Sequence, residues 1–179
     1  MGKYQDELSK SMKMLAEDYR VIFLGQSVAV AGTAMRNTLL GIDDKRLLEL
    51  PVEEDFQMGV ANGFALAGFV PVSIFPRWNF LLLATNQIVN HLDKLGEISR
   101  RNVPPKVIIR TAIGSESPLN PGPQHTGDFT AAFENLCKNI NVVRLDNSDQ
   151  IYPEYKQALS REDGISTLLV EWGDKYYED

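Results

Sequence analysis

Hydrophobic positions along the chain switch repeatedly between two periods. From Asp6 to Tyr19 the apolar residues Leu8, Met12 and Leu15 recur at helical spacing, which predicts an amphipathic helix. Residues 20–24 form a short apolar run stopped by Gly25, the pattern of a buried strand. The same reading predicts a helix over 31–40 closed by Gly41, a weak strand over 46–50 and a helix over 54–69. A strand over 71–75 and a long helix over 80–98 come next. The clearest strand, rich in Val and Ile, is 105–113, and a loop with three prolines and two glycines spans 114–124. A helix over 128–139, a strand over 140–145, a helix over 148–159 and a strand over 166–171 complete the chain. Strands separated by helices of this length predict an α/β fold: three layers, with a mostly parallel twisted sheet and helices on both faces. With no internal repeat or linker, residues 1–179 read as one domain.

In such sheets the ligand sits beyond the carboxyl ends of the strands. That rule selects four segments: Gly25-Gln26-Ser27, Pro51 to Glu54, Pro76 to Phe80, and Gly114 to His125. Composition narrows the chemistry. A net charge of −6 and the lack of a basic cluster argue against a nucleic-acid surface. The single cysteine, Cys137, has no internal disulfide partner, which fits a reducing compartment. Asp6 and Glu7 near the start argue against a signal peptide, and the run from Phe80 to Ala84 is far too short to span a bilayer. The expectation is a soluble, cytoplasmic protein that binds neither nucleic acid nor membrane. Zinc-ligand spacing, a phosphate loop and a Gly-x-Ser-x-Gly elbow are all absent from the sequence. No glycine-rich fingerprint follows the first strand, which counts against a generic nucleotide-binding sheet.

The stretch from Leu50 to Pro71 carries the most chemistry. Pro51 holds Leu50 extended and helps stop the preceding strand. Glu53, Glu54 and Asp55 then open a helix in which Gly59, Gly63 and Ala67 fall on one face. Each glycine costs roughly 1 kcal/mol in helix propensity, so such a face implies close approach of another backbone. By composition alone, the three acids need do no more than complement a helix N-terminus. The run nevertheless resembles the activating-glutamate segment of the pyrimidine-binding domain of thiamine-diphosphate enzymes, in the transketolase and 2-oxo-acid dehydrogenase beta-subunit group. Glu54, Gly59, Gly63, Ala67-Gly68 and Pro71 match that family's pattern without a gap.

The resemblance extends from about Ser11 to Trp172 and implies roles for several residues. Glu54 matches the acid that hydrogen-bonds the cofactor's pyrimidine ring and shifts it to the form whose exocyclic amine acts as base. Burial would raise the pKa of such a carboxyl and the helix dipole would lower it. The segment Phe75-Pro76-Arg77-Trp78-Asn79-Phe80, leading into Gln87-Ile88-Val89-Asn90, is similar to the family's aromatic loop and following helix, with Asn86 replacing an acid. Phe80 matches the aromatic that stacks on the aminopyrimidine, and Pro76 and Val52 match positions lining the cofactor. Trp78 and Phe80 also read as ordinary core. His125, in Gly122-Pro123-Gln124-His125-Thr126-Gly127, resembles the family's histidine that faces the reacting carbon, although a loop histidine often has no special role.

Three departures stand out. Gln26 takes a cofactor-side position where the family often has glutamate, keeping hydrogen bonding but losing the charge. Ser115-Glu116-Ser117 replaces a glycine-rich segment. Arg77 replaces a small or apolar residue, and reads either as reaching a phosphate or carboxylate on the substrate or as a solvated surface arginine. His91 reads as an interface or core histidine and Cys137 as inert packing.

The resemblance also implies what this chain lacks. The diphosphate-binding domain, with its Gly-Asp-Gly motif and asparagines, and the C-terminal domain of the beta subunits have no counterpart here; Gly173-Asp174 has no such continuation. The expectation is therefore the pyrimidine-binding subunit of a split, transketolase-like enzyme acting on a 2-oxo acid or a ketose. Thiamine diphosphate and Mg2+ would be held mainly by a partner chain. Self-association across a two-fold axis would give a heterotetramer, with the Gly59/Gly63 face as a candidate contact. The alternative is a non-catalytic assembly or regulatory partner that retains the fold.

Overall fold

Six strands pair in parallel throughout, in the order β2-β1-β3-β4-β6-β5. The structure is a computed structural model, and it describes residues 2–99, 106–117 and 119–177. The strands are β1 (Val21–Gly25), β2 (Leu47–Glu49), β3 (Val70–Phe75), β4 (Ile108–Ile113), β5 (Ile140–Arg144) and β6 (Ser166–Trp172). The first part of the strand expected over 105–113 lies partly outside the described residues, since Pro105 is not among them. Every residue of β3 and β4 is buried, as expected of parallel strands covered on both faces.

The helices are α1 (Lys3–Glu17), α2 (Ala34–Asn37), α3 (Glu54–Leu66), α4 (Trp78–Leu81), α5 (Asp93–Ile98), α6 (Thr130–Leu136) and α7 (Ser148–Ser160). On one face of the sheet, Leu8, Met12 and Leu15 of α1 pack with Ile151 and Tyr155 of α7 against Phe23, Val72 and Leu169. On the other, Met58 and Ala61 of α3, Trp78 of α4 and Phe133 of α6 pack against Leu24, Phe75, Ile109 and Leu168. Strand alternation separates the two sets: Phe23 faces one layer and Leu24 the other.

Three elements differ from the pattern-based expectation, each for a local reason. The helix expected over 31–40 shrinks to Ala34–Asn37, with Thr33 as its cap accepting from the N–H of Arg36 at 3.1 Å. The preceding amides of Ser27, Val28, Ala29 and Val30 are committed to the Glu49 carboxylate instead. The helix expected to run to Phe69 ends at Leu66. Gly68 adopts φ +88°, and Phe69 N–H closes back on the Phe64 carbonyl at 3.0 Å, a left-handed glycine stop. The long helix over 80–98 is composite: α4, a 3-10 turn over Leu82–Ala84, a π-helical segment over Gln87–Leu92, and α5. The widened segment lies where α3 comes near, and Asn62 donates to the Gln87 carbonyl at 3.3 Å.

Candidate functional site

The chain leaves β1 for β2 at one sheet edge and returns to β3 on the other side of β1. That reversal makes the carboxyl ends of β1 and β3 the topological switch point, where ligands of open α/β sheets bind. The two ends are packed closely. Gly25 has φ +150°, and a Cβ there would lie 2.4 Å from the Ile74 carbonyl oxygen, so only glycine fits. The buried Gln57 of α3 ties this end of β3 to the helix. Its Nε2 donates to Ser73 Oγ at 3.1 Å and to the Ile74 carbonyl at 3.0 Å.

Gln26 follows Gly25 and meets Glu54, the first residue of α3. Gln26 Nε2 donates to Glu54 Oε1 at 3.1 Å, and Glu54 is only 5% exposed. Glu54 Oε2 accepts no hydrogen bond from the described residues. The Gln26 loop is pinned from its far side by Glu49. The Glu49 carboxylate accepts from the N–H of Ser27 at 2.6 Å, Val28 at 2.9 Å, Ala29 at 2.8 Å and Val30 at 3.3 Å. Burial pushes the Glu49 carboxyl upward, but these four amides outweigh it and hold its pKa below the usual carboxylate range.

A second group gathers after β3 and β4. Phe80 is half-buried and meets His125 edge to face, with ring centroids 5.5 Å apart. His125 N–H donates to the Gly122 carbonyl at 3.1 Å, while its Nδ1 is buried without a hydrogen-bond partner. Arg77 Nη1 donates to the His125 carbonyl at 3.2 Å, and Gly127 N–H reaches Asn79 Oδ1 at 3.4 Å. Pro76 is half-buried beside them and Val52 is 79% exposed. The two aromatics expected in this loop divide: Trp78 is fully buried against Phe133 at 5.0 Å, and only Phe80 keeps an open edge.

The Gly59/Gly63 face also divides. Gly59 faces Gln87 of this same chain, with a built Cβ 3.7 Å from its side chain, whereas Gly63 faces open space. His91 is exposed, and burial pushes the Cys137 thiol up to about 11, leaving it a poor nucleophile.

These residues suit an aminopyrimidine. A buried carboxyl has one oxygen open, an aromatic ring is half exposed, and a buried imidazole nitrogen lacks a partner. Among the described residues no group of three His, Cys, Asp or Glu is arranged to hold a metal ion.

Sequence reading missed Glu49, whose partners are backbone amides, and Gln57, which bonds one side chain and one carbonyl of β3; neither leaves a side-chain pattern. It also missed a buried pair, Arg110 and Glu171, with Arg110 Nε donating to Glu171 Oε1 at 2.5 Å. Here a signal existed: one arginine and one glutamate interrupt the apolar runs of β4 and β6. Opposite charges in two buried runs point to each other.

The family described as transketolase, pyrimidine binding domain, matches residues 7–172. The chain is 30% identical over 160 residues to the mitochondrial pyruvate dehydrogenase E1 component subunit beta of Drosophila melanogaster, covering 88% of this chain and 43% of that protein. It is 37% identical over 159 residues to the 3-methyl-2-oxobutanoate dehydrogenase subunit beta of Mycobacterium tuberculosis, covering 86% and 44%. Thus the chain spans less than half the length of these relatives. Among solved structures, Campylobacter jejuni transketolase superposes with a TM-score of 0.72 at 14% identity, covering 93% of this chain and 25% of the other. A split gene transketolase, described as an inactive beta4 tetramer, gives 0.63 at 16% identity, covering 95% and 51%. Fold and sequence together define a pyrimidine-binding domain of the thiamine-diphosphate-enzyme type. The chain belongs to the transketolase pyrimidine-binding-domain family.

Proposed function

We propose that this chain is the pyrimidine-side subunit of a split thiamine-diphosphate enzyme, acting on a 2-oxo acid or ketose together with a diphosphate-binding partner. One observation carries the reading. Glu54 is a buried carboxyl at the entrance of α3, with one oxygen oriented by Gln26 and the other open. Thiamine diphosphate, when bound, supplies a carbon nucleophile that adds to a carbonyl carbon. The residues of this chain do the rest. Glu54 holds a proton at the pyrimidine nitrogen, and Gln26 fixes the carboxyl's orientation. Phe80, Pro76 and Val52 line the ring. His125, whose Nδ1 has no protein partner, exchanges a proton at the substrate oxygen.

The partner holds the diphosphate and Mg2+. Docking is supported by apolar surface that this chain leaves open: Val52 is 79% exposed, Phe56 50%, Leu66 46% and Leu83 65%. Phe56, Gly59 and Val60 line a shallow depression with Gln87, a feature suited to a partner subunit. A two-fold heterotetramer is the assembly this implies. The relatives described as 2-oxo-acid dehydrogenase beta subunits support the enzyme reading over a non-catalytic assembly role.

The test mixes this chain with a diphosphate-binding partner, thiamine diphosphate and Mg2+. Glu54→Gln should cut turnover by about 100-fold or more, which is about 2.7 kcal/mol of transition-state stabilisation, while the assembly stays intact by light scattering. Unchanged turnover in Glu54→Gln would remove the proposed role. Full assembly without turnover in the wild-type complex would favour the non-catalytic alternative.

A further inference from the structure

The sequence left Arg77 with two readings, and the structure separates them. Arg20, Arg110, Arg144 and Arg161 each pair with a carboxylate, while Arg36 and Arg46 bond the backbone carbonyls of Ala29, Asp18 and Val21. Arg77 has no carboxylate within 4.0 Å among the described residues, and its one hydrogen bond is to the His125 carbonyl. It is half-buried, and it lines a cavity of about 180 Å³. Thr33, Ser115 and Tyr177 offer hydroxyls around that cavity, and Gly32, Gly114 and Gly173 keep its walls low. No other lining residue is charged. Asp174, beside Gly173, does not neutralise Arg77; its Oδ1 accepts from the N–H of Glu116 at 2.8 Å and Ser117 at 2.9 Å. An arginine without a carboxylate partner, lining a cavity whose other walls are neutral, in a chain of net charge −6, can take an anion brought from outside.

Size and position narrow the ligand. The cavity has room for a carboxylate or phosphate with a short carbon stem. Pro76 lines both this cavity and the candidate site, and Arg77 is bonded directly to the His125 backbone. We propose that Arg77 and this cavity bind the anionic end, carboxylate or phosphate, of the substrate whose carbonyl carbon reacts beside His125. This rests on the thiamine-enzyme reading for what the anion is attached to, but not for the anion site itself.

The direct experiment is an amide NMR titration of the full chain, without partner or cofactor, using inorganic phosphate and, separately, succinate. Saturable shifts centred on Thr33, Arg77 and Ser115 in the millimolar range are expected with one or both anions, and the stronger binder identifies the substrate's charged group. Arg77→Gln should abolish them. Arg77→Lys, which keeps the charge but loses the fork, should weaken binding by about tenfold. In the reconstituted enzyme Arg77→Gln should raise KM for an anionic substrate by about tenfold, with a smaller change in kcat. The absence of a saturable shift with either anion, or equal shifts in wild type and a folded Arg77→Gln, would overturn the anion site. If that site fails while Glu54→Gln still abolishes turnover, the thiamine reading stands without it. Anion binding with turnover unaffected by Glu54→Gln would leave the anion site standing and remove the thiamine reading.

Discussion

Two polar clusters share one sheet and are built to opposite standards. Beneath the sheet, on the α1 and α7 side, Arg110 and Glu171 are wholly buried and every strong group is matched. Arg110 bonds Glu171 through Nε and Nη2 and Thr38 through Nη1 at 2.9 Å, while the Tyr155 and Tyr176 hydroxyls both donate to Glu171. Burial works against the Arg110 charge, but the Glu171 carboxylate beside it prevails and holds its pKa above the usual guanidinium range. At the carboxyl ends of β1, β3 and β4 the cluster is unfinished. Glu54 has an open oxygen, His125 Nδ1 has no partner, and Arg77 has a single carbonyl. An unmatched buried polar group costs about 1–3 kcal/mol. Of these three only His125 Nδ1 is fully buried; the Glu54 oxygen and Arg77 stay within reach of a ligand, so the finished cluster reads as structure and the unfinished one as the candidate site.

The largest expected effect breaks the finished cluster. Arg110→Met leaves the Glu171 carboxylate buried without its cation, and should cost about 3–5 kcal/mol in urea unfolding. Adding Glu171→Leu removes the stranded charge, although Tyr155 and Tyr176 then lose an acceptor. The double variant should therefore recover part of the loss, with a coupling energy above about 1 kcal/mol. Strict additivity of the two single losses would show that the pair is not a unit.

The unfinished cluster should respond the other way. Glu54→Gln keeps the side chain's shape and an oxygen for Gln26, so unfolding stability should stay within about 1 kcal/mol of wild type. A large loss in urea unfolding would mean that Glu54 supports the fold, and the contrast between the clusters would disappear. Turnover, by the argument above, should fall steeply in the same variant.

Much of this was legible in the chain before its structure. Short apolar runs and helical stripes pointed to all six strands and the layering, and the carboxyl-end rule gathered Gln26, Glu54, Phe80 and His125 into segments that follow the carboxyl ends of the strands in the fold. Legibility failed where partners are backbone. Nothing in the sequence showed that the amides of Ser27, Val28, Ala29 and Val30, just ahead of the helix expected over 31–40, are collected by Glu49. The unbroken apolar pattern from Phe80 to Ile98 also hid the π-helical segment, because a widened turn buries the same residue types as an α-helical one. Nor did the sequence separate Trp78 from Phe80; their burial is decided by Phe133 and His125, which lie far along the chain.

The smallest expected effect probes the Glu49 clamp behind the unfinished cluster. Its folded pKa is depressed, because the four amides outweigh the burial that acts first to raise it. For a depressed carboxyl the stabilising contribution is fully present above the unfolded value, about 4.3. It is lost as pH falls through the lowered folded value, because the unfolded chain then binds the proton more readily than the folded one. The protection of the amides of residues 27–30, taken relative to their intrinsic exchange at each pH, should thus hold at and above pH 5 and fall in more acid solution, before that of the core amides of β3 and β4 does. Glu49→Gln should remove this acid step and leave the loop exchanging quickly at neutral pH, since one amide oxygen cannot serve four donors. If the loop in Glu49→Gln stayed protected, Gln26 would be held by something other than the clamp. The orientation of the Glu54 carboxyl would then have to be traced to α3 alone.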